Sequence, residues 1–329
     1  MEAYRPPYEI TEKCVRLISS VSEKLGRLDV ASCSTRPRLR KISRIRSVYS
    51  SLKIEANSLP LDAIRAILDG KEVFGPVEEI REAENAFRAY DMILDINPFQ
   101  LPDLLQMHAV LMNGLCSDAG SFRKYPEGVF SGDTCIYMAP EPAAVPHLMN
   151  ALLDWMNRAK ESVHPAVIAC AAHYELVFIH PFSDGNGRLA RLWQMAILSA
   201  WNPLFRYVPI ENSIYQHQQE YYDVIDRCNH AEAITEFIEF ILEMTDHAMS
   251  ELLRLSVKHD SVTDCVRRLL DVMGFETEYS SQELMEALHL KSRDTLRDHY
   301  LHPALDAGLI RMKYPASPSS RNQRYIRTS

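Results

Sequence analysis

The sequence predicts a mainly α-helical protein: a large helical core interrupted by one β-hairpin and followed by a small winged helix-turn-helix domain. Three observations point there. Apolar residues recur at three- and four-residue intervals through most of the first 260 positions. Only the stretch from Val129 to Tyr137 reads as paired strands, around the turn residues Ser131-Gly132-Asp133. From about residue 261 the helix-opening signals crowd together and end in two short strand-like runs.

Ile10, Cys14, Leu17, Ile18, Val21 and Leu25 stripe a first amphipathic helix. Arg36 to Arg46 carries six cations and reads as a solvated helix face. Ser51 and Glu55 then stand four apart on one face of a helix that stops before Pro60. Leu61 to Leu68, Val77 to Leu94 and Leu101 to Leu115 continue the pattern, broken at Asp69-Gly70 and Asn97-Pro98. The hairpin that follows offers a strand edge to which an extended peptide could pair. Helices are expected again over Val145 to Met156, Pro165 to Ile179, Leu189 to Trp201, Ile210 to Asn229 and Ala233 to Val257.

Three domains are expected: a helical region 1–95 with a distinct helix at about 44–58, a core 96–258, and a winged-helix domain 259–329. In the last, Asp264 to Met273 forms one helix, a Ser280-x-x-Glu283 capping box opens a second, and Ser292 opens a third reaching Tyr300. Leu309 to Tyr314 and Gln323 to Arg327 make a two-stranded wing. The third helix mixes Lys291, Arg293 and Arg297 with Asp294 and Asp298, so DNA binding by 261–329 and protein docking stand level.

Composition narrows the class. With 329 residues, 47% of them apolar, the chain can bury one large core and a smaller domain. A net charge of -8 argues against a protein that coats nucleic acid. Seven scattered cysteines without a CxxC pair suggest neither zinc nor a disulfide framework, and point to a reducing, cytoplasmic setting. Met1 to Ile10 lacks the apolar centre of a signal peptide. The most apolar run, Ala166 to Ile179, is too short to span a bilayer, so no membrane partner is expected.

The chemistry concentrates in His180-Pro181-Phe182-Ser183-Asp184-Gly185-Asn186-Gly187-Arg188-Leu189-Ala190-Arg191. Gly185 and Gly187 let backbone N–H groups converge on an anion just ahead of a helix N-terminus. Arg188 and Arg191, three apart, share a face and neutralise two phosphates, an arrangement suited to a triphosphate. Asp184 adds a hard oxygen for Mg²⁺ shared with those phosphates. His180 adds a base that titrates near neutrality. Together they describe nucleotidyl or phosphoryl transfer. A Walker A loop is excluded because no Gly-Lys-Ser/Thr follows.

These twelve residues resemble the signature of the Fic (filamentation induced by cAMP) family of protein AMP-transferases, HPFxDGNGRxxR, at every fixed position. The resemblance covers roughly residues 10 to 250 and implies a Fic-type helical core with a flap hairpin. It implies that His180 is the general base toward a Ser, Thr or Tyr hydroxyl of a target protein. Asp184 would hold Mg²⁺ against the α- and β-phosphates of ATP. Gly185, Asn186 and Gly187 would form the anion hole, Arg188 would contact the phosphates, Arg191 would reach the γ-phosphate, and Phe182 would anchor the loop. Tyr221, Tyr222 and Asn229 stand where the family places adenosine contacts. The hairpin, 128–138, corresponds to the flap along which a target docks, with Val129 near the base.

Ser51 to Asn57 resembles the family's inhibitory motif, (S/T)xxxE(G/N), except that Ala56 stands where Gly or Asn is expected and Asn57 follows one place later. Glu55 would then pair with Arg191 and compete with the γ-phosphate. The implied protein is an autoinhibited adenylyltransferase, with self-modification and a homodimer within its scope. Three alternatives use the same residues: removal of AMP with Glu55 positioning water, transfer of another nucleotide or of phosphate, and a nucleotide-sensing DNA-binding regulator.

Overall fold

The computed structural model describes residues 4–28, 37–131, 134–260, 263–274, 277–315, 317–318 and 320–328. Two units divide the chain, Met1–Met249 and Ser250–Ser329.

The first unit opens with α1 (Glu12–Arg27), whose N-cap Thr11 accepts from the Cys14 N–H and whose buried face is Cys14, Leu17, Val21 and Leu25. Ile10, expected on that stripe, lies ahead of the cap and is exposed. Next come α2 (Pro37–Ile54), α3 (Leu61–Leu68), α4 (Val77–Asp91) and α5 (Leu101–Leu111). A 3-10 turn, Met92–Leu94, finishes the segment expected to run on from α4.

The hairpin pairs β1 (Gly128–Ser131) with β2 (Thr134–Met138), antiparallel, with Gly128 opposite Met138 and Val129 opposite Tyr137. Its expected turn, Gly132-Asp133, lies outside the described residues, as do the side chains of 129–136.

Helices α6 (Val145–Ala159), α7 (Pro165–Ile179) and α8 (Asn186–Trp201) follow. α7 is buried continuously from Ala166 through Leu176, and α8 packs along it. A helix apolar on all sides belongs at the centre of a core. This pair is that centre, and the twelve-residue motif connects the end of α7 to the start of α8. The expected helix Ile210 to Asn229 is two helices, α9 (Ile210–Gln216) and α10 (Gln218–Ala231). The break is at His217, whose backbone leaves helical geometry (φ −118°, ψ 34°). α11 (Thr235–Asp260) closes the first unit and enters the second.

The second unit holds α12 (Asp264–Val272), α13 (Ser281–Ala287), α14 (Arg293–Thr295), a π-helical run Leu296–Leu301 and α15 (His302–Asp306). The capping box forms as expected: Ser280 and Glu283 bond each other's backbone N–H. The third helical segment outruns Tyr300. Pro303 has no N–H for the carbonyl four residues back, and the wide π turns ahead of it absorb that break. The sheet has three strands rather than two, in the order β3 (Glu278–Tyr279), β5 (Tyr325–Arg327), β4 (Ile310–Met312), all antiparallel. Its cations are partly engaged: Lys313 bonds Glu278 at 2.7 Å, and Arg327 is buried on the Leu270 carbonyl.

Candidate active site

The motif begins where α7 ends. His180 is the helix C-cap in the left-handed region (φ 49°, ψ 59°), a conformation that costs a residue with a Cβ about 1 kcal/mol or more. It is held from both sides: its N–H donates to Leu176 O, and its carbonyl accepts from Arg123 Nε at 2.7 Å. The ring's Nδ1 lies 3.4 Å from Val177 O. A carbonyl only accepts, so Nδ1 carries the proton there and Nε2 keeps the lone pair a base needs. Burial pulls the imidazole below the ordinary histidine range, against the opposing pull of that carbonyl.

The rest of the loop is braced from within. Asn186, fully inside, accepts from Phe182 N–H at 3.0 Å and donates to Phe182 O at 2.8 Å, so its side chain is spent on the loop and only its backbone can face an anion. Phe182 is wholly buried and stacks on His108, ring centroids 3.6 Å apart. His108 Nδ1 accepts from Gly120 N–H, which fixes the proton on Nε2, and Nε2 donates to Asp184 O at 2.9 Å. Gly185 has φ +79°, and a Cβ there would stand 2.5 Å from Met112 Sδ. Any side chain there would be strained by the positive φ and would have to displace the Met112 thioether. Asp184 extends a 64% exposed carboxylate, bonded at 3.2 Å to Arg188.

Both arginines are already occupied. Arg188, 6% exposed, donates to Glu82 Oε1 at 2.7 Å, and the other oxygen of Glu82 accepts from Asn57. Arg191, 1% exposed, donates from Nε to Ser51 Oγ at 3.2 Å and from Nη2 to Ser51 O at 3.0 Å and Glu55 Oε1 at 2.8 Å. Burial works against that charge, and Glu55 with the Tyr221 phenol outweighs it, so the guanidinium's proton is held more tightly than usual.

The placement of Glu55 is the decisive geometry. A Cβ on Gly187 would lie 2.5 Å from Glu55 Oε1, so the carboxylate rests against the first turn of α8. That turn presents N–H groups without intrahelical acceptors. A chain carboxylate therefore sits where the glycines and Arg191 are arranged to take an anion.

α2 delivers it. The helix ends at Ile54, Ala56 turns left-handed (φ 63°), and Asn57 Oδ1 caps the turn by accepting from Leu59 N–H. This explains the residue type expected at 56: glycine and asparagine enter that region cheaply and alanine does not. Gln218 and Tyr222 both donate to Ile54 O at 3.1 Å and hold the helix end.

The three residues expected at adenosine part company. Tyr222 is 45% exposed beside Ile54. Tyr221 is a core residue on the inner face of α10, its hydroxyl 3.0 Å from His173 Nε2. Asn229 Oδ1 is taken by the Tyr174 hydroxyl at 2.6 Å. The Val129 side chain lies outside the described residues, while its backbone pairs with Tyr137. The hairpin is tied to the end of α7 by Tyr137, whose hydroxyl donates to Phe178 O at 2.8 Å, and its flanks are held by Arg123, which bonds His180 O and donates to Tyr125 O and Pro140 O.

Sequence reasoning missed Glu82, His108 and Arg123. Each sits far from the motif in an ordinary helical or turn context, and no local pattern marks it.

A buried helix N-terminus with glycines, two arginines and a histidine that burial keeps neutral, closed by a carboxylate of the same chain, has the makings of an anion site. Residues 98–198 match the Fic/DOC family and residues 264–328 match the Filamentation induced by cAMP protein Fic-like, C-terminal domain. A Fic family protein from Desulfovibrio desulfuricans G20 is 41% identical, covers 99% of both chains and superposes with a TM-score of 0.74. Among curated relatives, the Protein adenylyltransferase Fic of Nematostella vectensis is 29% identical over 78% of this chain and 60% of its own length. That of Aedes aegypti is 32% identical over 64% and 42%. The chain spans about half the length of the curated relatives it matches. It belongs to the Fic family.

Proposed function

We propose that this chain is a protein adenylyltransferase that moves AMP from ATP to a Ser, Thr or Tyr hydroxyl of a target protein, and that Glu55 holds it inhibited. The observation that carries this is the Glu55 carboxylate on Arg191 and against Gly187, an anion of the chain in the place built for a phosphate.

The target hydroxyl oxygen attacks the α-phosphorus, the bond from that phosphorus to the bridging oxygen breaks, and pyrophosphate leaves. His180 Nε2 takes the hydroxyl proton, as its neutral state permits. The α8 N-terminus, Arg188 and Arg191 stabilise charge that grows on the phosphates. Asp184 is a single open carboxylate, and among the described residues no trio of His, Cys, Asp or Glu gathers into a metal cage. Asp184 would hold Mg²⁺ brought in with the nucleotide phosphates, and the ion would supply positive charge for the departing pyrophosphate. With Glu55 on Arg191 the γ-phosphate loses its guanidinium, and ATP binds without the α-phosphorus in line. The β1–β2 hairpin, tied to the end of α7 by Tyr137 and held at its flanks by Arg123, gives a target backbone an edge on which to pair.

The test uses ATP labelled on the α- or the γ-phosphate with the Glu55→Gly variant and a cell lysate. Label from α but not γ on protein supports AMP transfer; label from γ alone overturns it. A second reading, removal of AMP, draws on the 34% exposure of the Glu55 side chain, which leaves one carboxylate oxygen able to orient water. Release of AMP from a pre-modified target by the unaltered chain, lost in Glu55→Gly, supports it. The DNA-binding alternative is weakened by the pairing of Arg297 with Asp294 and Asp298 on the third helical segment. No helix among the described residues is long and apolar enough to cross a membrane.

A further inference from the structure

The basic run at the start of α2, set down from sequence as a solvated face, closes on a second cleft. Arg40, Lys41 and Arg44 line a cavity of about 400 Å³ together with Arg206, from the 3-10 turn Pro203–Tyr207. Two carboxylates share it and both are spoken for: Asp69 pairs with Lys41, and Asp91 pairs with Arg44 at 2.6 Å. Among the described residues neither Arg40 nor Arg206 has a carboxylate partner, so the cleft keeps two uncompensated cations, four less two. The Nε donors of Arg40 and Arg44 are buried with no acceptor. Three arginines and a lysine lining one cleft, with two positive charges in excess, are what an anion of several oxygens relieves. Leu68 and the rings of Tyr90 and Tyr207 add an apolar side large enough for a planar group beside that anion.

This cleft is apart from the nucleotide cradle. Arg44 precedes Glu55 by eleven positions, roughly 16 Å at the helical rise. Yet Tyr90 touches both sites. Its ring lines the cleft, its hydroxyl donates to the buried Glu211 at 2.5 Å and meets Ser51, and Ser51 accepts from Arg191.

We propose that the cleft is a second anion site, for a small phosphate monoester with a planar or apolar body, and that its occupation pins α2 in the closed position. The phosphate oxygens join Arg40 and Arg44 of α2 to Arg206 on the neighbouring turn and cancel the repulsion between them. Ser51 rides on the far end of the same helix and Glu55 on the turn that follows it, so the carboxylate stays on Arg191. The pinning rests on the autoinhibited reading above; the binding does not.

Phenyl phosphate and inorganic phosphate, titrated into the full chain at constant ionic strength, test it by melting temperature. A rise of about 4 °C at saturation is expected, retained in Arg191→Gln and lost in Arg40→Gln/Arg206→Gln. A rise that survives in the double variant, or disappears in Arg191→Gln, overturns the site. Equal shifts from both probes reduce the recognised group to the phosphate, whereas a larger one from phenyl phosphate includes the ring. With Glu55 intact, phenyl phosphate should lower AMP incorporation about fivefold, an effect absent in the double variant. Binding with unchanged or raised incorporation overturns the pinning. Absence of incorporation even in Glu55→Gly refutes the transferase reading and leaves the binding result standing.

Discussion

Two walls face each other across the site, and they are built differently. The motif wall, from His180 to Arg191, is buried and braced at nearly every residue: Asn186 on Phe182, His108 on Asp184, Arg123 on His180. The wall at the end of α2 leaves Glu55 and Ala56 exposed, sets Ala56 in a left-handed turn, and depends on a short set of contacts at Ser51, Ile54 and Asn57. A wall that must hold phosphates in one geometry gains from rigidity fixed before the substrate arrives. On the proposed inhibition the Glu55 wall yields to ATP, and a wall that yields gains from being less firmly held.

That contrast can be broken by substitution. His180→Ala removes the base from the rigid wall and should cut AMP transfer about 100-fold or more, read as labelled AMP on protein in the Glu55→Gly background. Retention of full transfer would remove His180 from the chemistry. Glu55→Gly frees Arg191 and should raise transfer roughly 10-fold to 100-fold, with self-modification as a convenient readout; an unchanged rate would mean that the carboxylate on Arg191 does not limit ATP.

The pH profile separates the walls further. Because burial lowers the His180 pKa below 6.5, the acid limb of the rate profile should lie below that value. In linkage terms the unfolded chain takes the proton first. The stability His180 contributes is therefore complete above pH 6.5 and lost as pH falls through its folded value. The same sign holds for core His173, pulled down to about 3. A limb above 6.5 would contradict the neutral ring.

Glu82 touches both walls, through Arg188 and through Asn57. Glu82→Ala leaves a buried guanidinium short of a partner and should cost about 2 kcal/mol in denaturant unfolding. Least of all, Ala56→Gly should stabilise the closed chain by about 1 kcal/mol, since glycine enters the left-handed region without a Cβ clash. A loss of stability there would mean that the turn is not strained.

Much of the fold could be read from periodicity. α3 and α7 begin and end where the spacing of apolar residues and the Pro and Gly breaks place them, and the Ser280 capping box forms as written. His217 could not be anticipated as a break, because its side chain is compatible with either helical or turn backbone and only the packing of α9 and α10 chose. Tyr221 and Tyr222 are adjacent and alike in sequence. The burial of one face of α10 sends the first into the core and leaves the second against the end of α2.

By itself the sequence determined the local chemistry: a contiguous run of glycines, arginines, an acid and a base can make an anion cradle at a helix N-terminus because its members are neighbours along the chain. Only the tertiary structure decided what faces that cradle. Family resemblance, not spacing, points to the Glu55–Arg191 pair, and nothing in the sequence points to Glu82–Arg188: each joins residues more than a hundred positions apart, and no spacing rule reaches that far. Their meeting follows from how α2 and α4 pack beside α8, a choice made by the shape of the whole core.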